Sequence, residues 1–321
     1  KLGEWFVSPD SPDSLSPDPP HNLSSITYSQ GLVHHGFFPR SRQTTNLLQN
    51  SLNRGEPPQP FFHECRCAHN MGGVRIYEVG PRDGIQNLPH IVRPSRIVAL
   101  VRILHEAGLT DMEIGSFVHP LRVPNMADSA VVFDAVKGLD GRFAALVPNR
   151  FGMERAKAAG ATRFNIFFSP VESFNQANHE KPQWQIVQEY TDALRGIPSE
   201  NVRVYLSMAF DCRDDVLESA VVAALELGDT VVLCDTEGMA TPLEVESAVN
   251  VALGHTYQTA LHLHHGPHLF DNLKVAYDMG VREFDSSIGG LGGCPFVPGS
   301  GANLATEDLI AWCGENDIEC G

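Results

Sequence analysis

The chain lacks the features that would place it in a membrane or outside the cell. None of its apolar runs approaches the roughly 18 residues that a membrane-spanning helix requires. The first residues, KLGEWFVSPDSPD, have neither the basic start nor the apolar core of a secretory signal peptide, and they are too acidic and too poor in arginine for a typical transit peptide. We therefore expect a cytoplasmic protein, with a mitochondrial location as the open alternative.

Positive charge is scarce, and the cysteines form no regular framework. The chain has 23 lysines and arginines against 39 acidic residues, a formal net charge of −16, so its surface should repel nucleic acid and anionic membranes. Seven scattered cysteines, an odd number, fit reduced thiols better than a disulfide scaffold. The composition predicts a protein with neither nucleic acid nor membrane as a partner.

The sequence changes character near Met71. Residues 1–70 are rich in Pro, Ser, Asn, Gln and His, and a stretch such as SPDSPDSLSPDPP resists both helix and sheet. Met71 is a plausible native start. We interpret residues 1–70 as a low-complexity, disordered extension and residues 71–321 as the catalytic domain.

From Val74 onward, short apolar runs alternate with helical patterns. The predicted strands are 74–79, 111–117, 142–147, 163–169, 202–210, 230–235, 259–265 and 281–287. The predicted helices are 94–107, about 128–137, 151–159, 184–195, 214–227, 242–253, 269–279 and 305–314. Eight such units in about 250 residues predict an α/β fold, a closed (β/α)8 TIM barrel. A doubly wound open sheet is the alternative, but no G-x-G-x-x-G follows the first strand.

The active site of such a barrel lies at the carboxyl ends of its strands. The polar residues predicted at these ends are Glu78, Arg82 and Asp83 after strand 1, Glu113 and Ser116 on strand 2, Asp235 on strand 6, His262 and His264 on strand 7, and Asp285 on strand 8. We expect all of these side chains to lie close together around the opening at that end of the barrel, its mouth.

His262 and His264 attract most attention. Positions i and i+2 of a strand share a face, so both imidazoles should point into the barrel. The pattern alone leaves a metal site and a hydrogen-bonded pair of core histidines about equally open. Asp83, from the neighbouring side of the closed barrel, favours the metal. Two imidazoles with oxygen ligands suit Mg²⁺, Mn²⁺ or Co²⁺ better than a sulfur-rich zinc site.

A glycine-rich segment with a cysteine follows strand 8. Gly289-Gly-Leu-Gly-Gly-Cys294 has the backbone freedom of a loop that could swing over the barrel mouth. Two interpretations are equally open: a lid that brings an acid to a substrate, or a flexible turn with an incidental thiol.

Residues from about Arg75 to Asp308 resemble 3-hydroxy-3-methylglutaryl-CoA lyase and its relatives among the DRE-TIM metallolyases. The segments that carry the likeness are EVGPRDGIQN (78–87), SFVHPLRVPNMAD (116–128), His262-Leu-His264 and GGLGGCPFVPGSGANLATED (289–308). The resemblance implies a carbon–carbon lyase that cleaves a 3-hydroxyacyl-CoA thioester into acetyl-CoA and a keto acid. It also implies a TIM barrel, an acyl-CoA substrate and a homodimer.

The same resemblance implies roles for individual residues. The ligands of a Mg²⁺ or Mn²⁺ ion would be Asp83, His262, His264 and Asn303. Arg82 would stabilise the enolate oxygen, Gln86 and Ser116 would line the substrate site, and Glu113, Asp235, His262 and Cys294 would be catalytic. Asp235 is the candidate base or proton relay, and either Cys294 or His262 is the acid.

The chain departs from this family at several points. His265-Gly266 stands where the family has Asp-Thr, and Leu88-Pro89 stands where the family has a Glu-Lys that helps to hold the phosphates of CoA. Relatives continue beyond helix 8 with further helical residues, so we interpret the chain as truncated. The departures leave two alternatives open: a related lyase or aldolase for another 3-hydroxyacyl substrate, and a catalytically silent barrel used for binding.

Overall fold

The structure, a computed structural model, describes residues 73–292 and 302–321. The predicted extension over residues 1–70 lies outside this part, so the division of the chain near residue 71 stays a prediction. Within the described ranges, no helix has both the length and the apolar character needed to cross a membrane.

Eight parallel strands close into a barrel in the order of the sequence. Their bounds are Arg75–Glu78 (β1), Asp111–Ser116 (β2), Arg142–Leu146 (β3), Arg163–Phe168 (β4), Val202–Leu206 (β5), Thr230–Asp235 (β6), Thr259–Leu263 (β7) and Glu283–Ser286 (β8). The barrel closes where β1 pairs with β8, with Arg75 opposite Glu283 and Glu78 opposite Ser286. The predicted (β/α)8 barrel is confirmed.

The described residues include nine α-helices around this barrel. They are Pro94–Glu106 (α1), Ser129–Val136 (α2), Arg150–Ala158 (α3), Glu172–His179 (α4), Gln183–Ala193 (α5), Asp214–Leu225 (α6), Pro242–Leu253 (α7), Leu269–Asp278 (α8) and Thr306–Glu315 (α9). Eight of these were predicted. The additional helix α4 buries only Asn175, so no apolar periodicity reveals it. The fifth strand is shorter than predicted because the chain turns at Met208, whose φ is 58°.

Alternation along β7 places its residues in two different environments. Leu261 and Leu263 belong to the main apolar core, which also contains the buried faces of the helices, whereas Ala260 belongs to a small separate cluster with Tyr205. His262 lies two residues after Ala260, so its side chain points to the same side of the strand, and it is 7% exposed. The predicted inward orientation of this histidine is therefore confirmed.

The amino ends of the strands carry charged side chains that form ion pairs between strands. Arg142 donates to both carboxylate oxygens of Asp111, and Arg75 lies 2.8 Å from Glu283. Arg203 also contacts Glu283 from the inside. These ion pairs lie at the end opposite the carboxyl ends of the strands, which leaves the other mouth for chemistry.

Replacing Leu261 with Ala should lower the free energy of unfolding by about 2–5 kcal/mol, because a fully buried side chain leaves a cavity in close-packed surroundings. Urea unfolding followed by circular dichroism measures the change. Leu243→Ala is the matched control, because Leu243 is 76% exposed and its loss should change stability by no more than about 0.5 kcal/mol. Equal effects of the two substitutions would contradict the position assigned to Leu261.

Candidate active site

A tight turn at the end of β1 presents two of the predicted residues. The segment Gly80–Gly84 forms one turn of π-helix, with the N–H groups of Asp83 and Gly84 donating to the carbonyl of Val79 at 2.7 and 3.3 Å. Such widened turns are rare and occur often at functional sites. The turn places Arg82 and Asp83 over the carboxyl end of the barrel.

Asp83, His262 and His264 form the one cluster of potential metal ligands found in the described part of the chain. Each offers one ligand atom, and these atoms all lie within 4.8 Å of one another. The imidazole centres of the two histidines are 4.9 Å apart. Asn303 joins the group, because its backbone pairs with that of His264 and its Nδ2 donates to Asp83 Oδ2 at 2.7 Å.

The remaining hydrogen bonds leave a set of atoms free to bind a cation. His264 Nδ1 lies 2.7 Å from the carbonyl oxygen of Asp235, which can only accept, so this nitrogen carries the proton and Nε2 keeps its lone pair. Asn303 Oδ1 is buried and has no partner. A buried acceptor without a donor is costly, and a cation would satisfy it. The donor set of nitrogen and oxygen therefore fits a divalent ion such as Mg²⁺ or Mn²⁺.

The electrostatic surroundings act differently on the three residues of the cluster. Burial would raise the pKa of Asp83, but Arg82 and the nearby histidines hold it below its usual value. Burial, together with the charge of His262, lowers the pKa of His264 to about 4, so this imidazole is neutral near pH 7. Burial also acts to lower the pKa of His262, but its contact with Asp285 raises it overall.

Arg82 is held in place by a buried ion pair. Its Nε and Nη2 both contact one carboxylate oxygen of Glu113, which is fully buried on β2, and its Nη1 lies 2.7 Å from Asp83 Oδ1. The other oxygen of Glu113 accepts from Asn165 Nδ2 at 2.8 Å. Although burial works against the charged form, Glu113 and Asp83 raise the pKa of Arg82, so the guanidinium stays protonated.

The other predicted residues lie at different distances from this cluster. Gln86 joins it, because its Nε2 donates to Asp83 Oδ1 at 2.7 Å. The Asp235 carboxylate accepts from the backbone N–H groups of Met239 and Ala240, and burial raises its pKa despite these bonds. The Oγ of Ser116, at the end of β2, accepts instead from the N–H of Val118 at 3.4 Å. The role of each residue stays a prediction.

The start of the glycine-rich segment lies directly against the cluster. Asn303 Nδ2 donates to the Leu291 carbonyl at 2.8 Å. A Cβ on Gly292 would lie 2.6 Å from Asn303 Nδ2 and 2.9 Å from the Asp83 carbonyl, and its φ is +93°. Glycine is therefore required here for both space and conformation. Cys294 lies outside the described residues, so its predicted role as lid or acid stays a prediction.

Four interior residues beneath the cluster were not among the predicted site residues: Tyr77, Asn165, Arg203 and Tyr205. Their side chains connect Glu113 and Asp285 across the barrel. The signal that could have found them is the period of two in β5, where Arg203 and Tyr205 both take inward positions that a TIM barrel usually gives to apolar residues.

Comparisons with known proteins agree with this site. The HMGL-like family model matches residues 73–318. Hydroxymethylglutaryl-CoA lyase YngG of Bacillus subtilis is 35% identical over 77% of this chain and 87% of its own length. (R)-citramalyl-CoA lyase of Chloroflexus aurantiacus is 34% identical over 75% of this chain and 83% of its own. An HMG-CoA lyase of Acinetobacter baumannii, solved with coenzyme A and 3-methylmalate, superposes with a TM-score of 0.71 at 33% identity, covering 77% and 85% of the two chains.

A TIM barrel with a histidine pair, a carboxylate and an amide at its carboxyl end defines the class of metal-dependent barrel enzymes. Within that class, the chain belongs to the HMGL-like family and is a carbon–carbon lyase. The resemblance inferred from the sequence motifs is confirmed.

Adding Mn²⁺ to the metal-free protein should saturate one site, since three ligand atoms and an unpaired amide oxygen already lie together. Loss of a residue that only supports a metal ligand typically weakens metal binding by about 10- to 100-fold. Asp83→Asn removes a ligand itself, so it should weaken Mn²⁺ binding by more than this. Isothermal titration calorimetry measures the affinity. Asp111→Asn is the control, because Asp111 pairs with Arg142 at the opposite end of the barrel. Equal affinities of the two variants would contradict the site.

Proposed function

We propose that this protein cleaves 3-hydroxy-3-methylglutaryl-CoA into acetyl-CoA and acetoacetate. The observation that carries the proposal is the position of Arg82, which is fixed beside the metal-ligand cluster by Glu113 and Asp83. A retro-Claisen cleavage needs such a fixed cation next to the place where a substrate hydroxyl is activated. Membership in the HMGL-like family supports the same reaction.

The reaction removes one proton and breaks one carbon–carbon bond before the enolate is protonated. A base removes the proton of the C3 hydroxyl, the C3–O bond becomes a carbonyl, and the C2–C3 bond breaks. The electron pair of that bond moves onto the thioester carbonyl and forms the enolate of acetyl-CoA. An acid then protonates the enolate carbon, which completes acetyl-CoA, while C3 becomes the ketone carbon of acetoacetate.

Four residues would hold the metal ion in this proposal: Asp83, His262, His264 and Asn303. A bound Mg²⁺ or Mn²⁺ would supply Lewis acidity, which lowers the pKa of a coordinated hydroxyl and fixes the substrate's orientation. Gln86 donates to Asp83 Oδ1, the oxygen that also accepts from Arg82, and so helps to hold this carboxylate in position.

Arg82 would stabilise the negative charge that develops on the thioester oxygen as the bond breaks. Its guanidinium is 6% exposed and is fixed by two carboxylates, so little reorganisation is needed when the enolate forms. Glu113 then acts through Arg82 by fixing its orientation. A lysine would lack the planar set of donors that this two-sided arrangement uses.

Proton transfer is assigned to groups at the same mouth. Asp235 is the proposed base or relay, and the raised pKa that burial gives its carboxyl group brings it closer to the working pH of a general base. His262 or Cys294 is the proposed acid, and Ser116 is retained as a substrate-lining residue. An acyl-CoA partner, a cytoplasmic location and a homodimer complete the proposal.

A panel of 3-hydroxyacyl-CoA thioesters should identify the substrate, with acetyl-CoA release as the measurement. We expect 3-hydroxy-3-methylglutaryl-CoA to react fastest. Citramalyl-CoA belongs in the panel because one relative, 34% identical, is a citramalyl-CoA lyase, and because His265-Gly266 departs from the family motif. Faster turnover of citramalyl-CoA would replace the proposed substrate, and no turnover of any thioester would favour a binding protein.

Replacing Arg82 with Gln should lower kcat by about 10²- to 10³-fold, because the enolate oxygen loses a charged donor whose contribution is greatest in the transition state. Circular dichroism and thermal unfolding check that the variant is folded. Arg142→Gln removes an arginine from a more exposed ion pair at the far end of the barrel and should keep near-normal turnover. A normal kcat for Arg82→Gln would refute its assignment to the enolate.

A further inference from the structure

Asp285 is a buried carboxylate that the proposed reaction leaves without a role. It lies on β8, is 1% exposed and faces the interior of the barrel. Three donors from two other strands converge on it. Arg203 lies 2.6 Å from Oδ1, while the Tyr205 hydroxyl and His262 Nδ1 lie 2.7 and 3.1 Å from Oδ2.

The hydrogen-bonding chemistry of these partners determines which nitrogen of His262 carries a proton. A guanidinium can only donate, and an ionised carboxylate can only accept. Because Asp285 is held as an acceptor by Arg203 and Tyr205, the contact with His262 is a hydrogen bond only when Nδ1 carries the proton. In the neutral imidazole the lone pair of His262 is then on Nε2, the nitrogen that remains available to a metal ion.

His262 and His264 differ in this respect. His264 Nδ1 donates to a peptide carbonyl, that of Asp235, which belongs to the end of β6 and is fixed by the backbone. His262 depends on a side chain, so its orientation depends on whatever fixes Asp285. A carboxylate partner also makes an imidazole a stronger donor to a metal than a carbonyl does.

The partners of Asp285 are themselves restrained. The Arg203 guanidinium lies 3.8 Å from the ring centre of Tyr77 and also pairs with Glu283 at the amino end of β8. Tyr205 packs edge-on against His262, with ring centres 6.1 Å apart. The carboxylate is therefore clamped from two sides before it meets the imidazole.

We propose that Asp285, clamped by Arg203 and Tyr205, is the positioning residue that sets the tautomer and orientation of His262 for metal binding. The inference rests on the proposed function, because it concerns the metal site of that reaction. Asp285 does not touch the reacting atoms in this assignment. It acts through His262, so its loss should be measurable as a loss of metal affinity in the absence of substrate.

The Asp285→Asn variant tests this role directly. An amide offers one acceptor and one donor group where three donors converge, so either Arg203 or His262 must face an N–H group. We expect Mn²⁺ affinity, measured by calorimetry, to fall by about 10- to 100-fold. In the metal-free protein, at a pH high enough for His262 to be neutral, ¹⁵N NMR of His262 should report a proton on Nδ1 in the wild type and a mixture of tautomers in the variant.

Tyr205→Phe removes one donor to Asp285 and keeps the ring beside His262, so it should weaken Mn²⁺ binding by less than Asp285→Asn does. Tyr190→Phe is its matched control. Tyr190 is equally buried, but its hydroxyl bonds to the carbonyl of Val147 outside the site, so its loss should leave Mn²⁺ affinity unchanged. Should Asp285→Asn fail to fold, this pair of variants decides the question.

The outcomes separate the inference from the proposed function. If the wild type binds Mn²⁺ and Asp285→Asn binds it equally well with His262 in the same tautomer, the positioning role is overturned while the metal site stands. Equal affinities of Tyr205→Phe and Tyr190→Phe would likewise overturn the clamp. If the wild type binds no Mn²⁺, the metal site of the proposed function fails, and the inference fails with it.

Discussion

The ion pair between Arg82 and Glu113, buried inside the barrel, is the interaction on which the site depends. Removing two charges from water is costly unless each is fully paired. Glu113 satisfies this condition through Arg82 and Asn165, and Arg82 satisfies it through Glu113 and Asp83. The pairing fixes Asp83 in turn, so the geometry of the metal cluster follows from a salt bridge outside it. Deep burial also strengthens the field that Arg82 exerts on a neighbouring oxygen.

Much of the fold follows from the sequence because its signals are local. Strand runs and helical spacing are properties of neighbouring residues, and the alternation in β7 correctly places His262 inside the barrel and Leu261 in the outer core. Helix α4 escaped prediction because it buries little apolar surface. The π-helical turn at Gly80–Gly84 was not predicted either. Such turns are uncommon, and this one depends on the position of the end of β1 and on the pairing of Arg82.

The polar side chains inside the barrel were not predicted, for a different reason. Tyr205 and Asp285 are 80 residues apart in the chain, as Tyr77 and Asn165 are 88 apart. Whether such residues meet depends on the register of strands that are not adjacent in the sheet. A single sequence reports which positions of each strand face inward, but it does not report the height at which each side chain lies in the barrel. The motif-bearing residues could be named from the sequence, whereas the residues that hold them could not.

The two histidines show how the register of the whole barrel affects the site. They are two residues apart at the end of β7 and share a face, yet one bonds to a peptide carbonyl and the other to a side chain from β8. The first contact is set by the neighbouring strand β6 alone. The second also needs Arg203 and Tyr205, which β5 supplies from across the barrel. A change in β5 would therefore act on His262 and spare His264, although both belong to the same cluster.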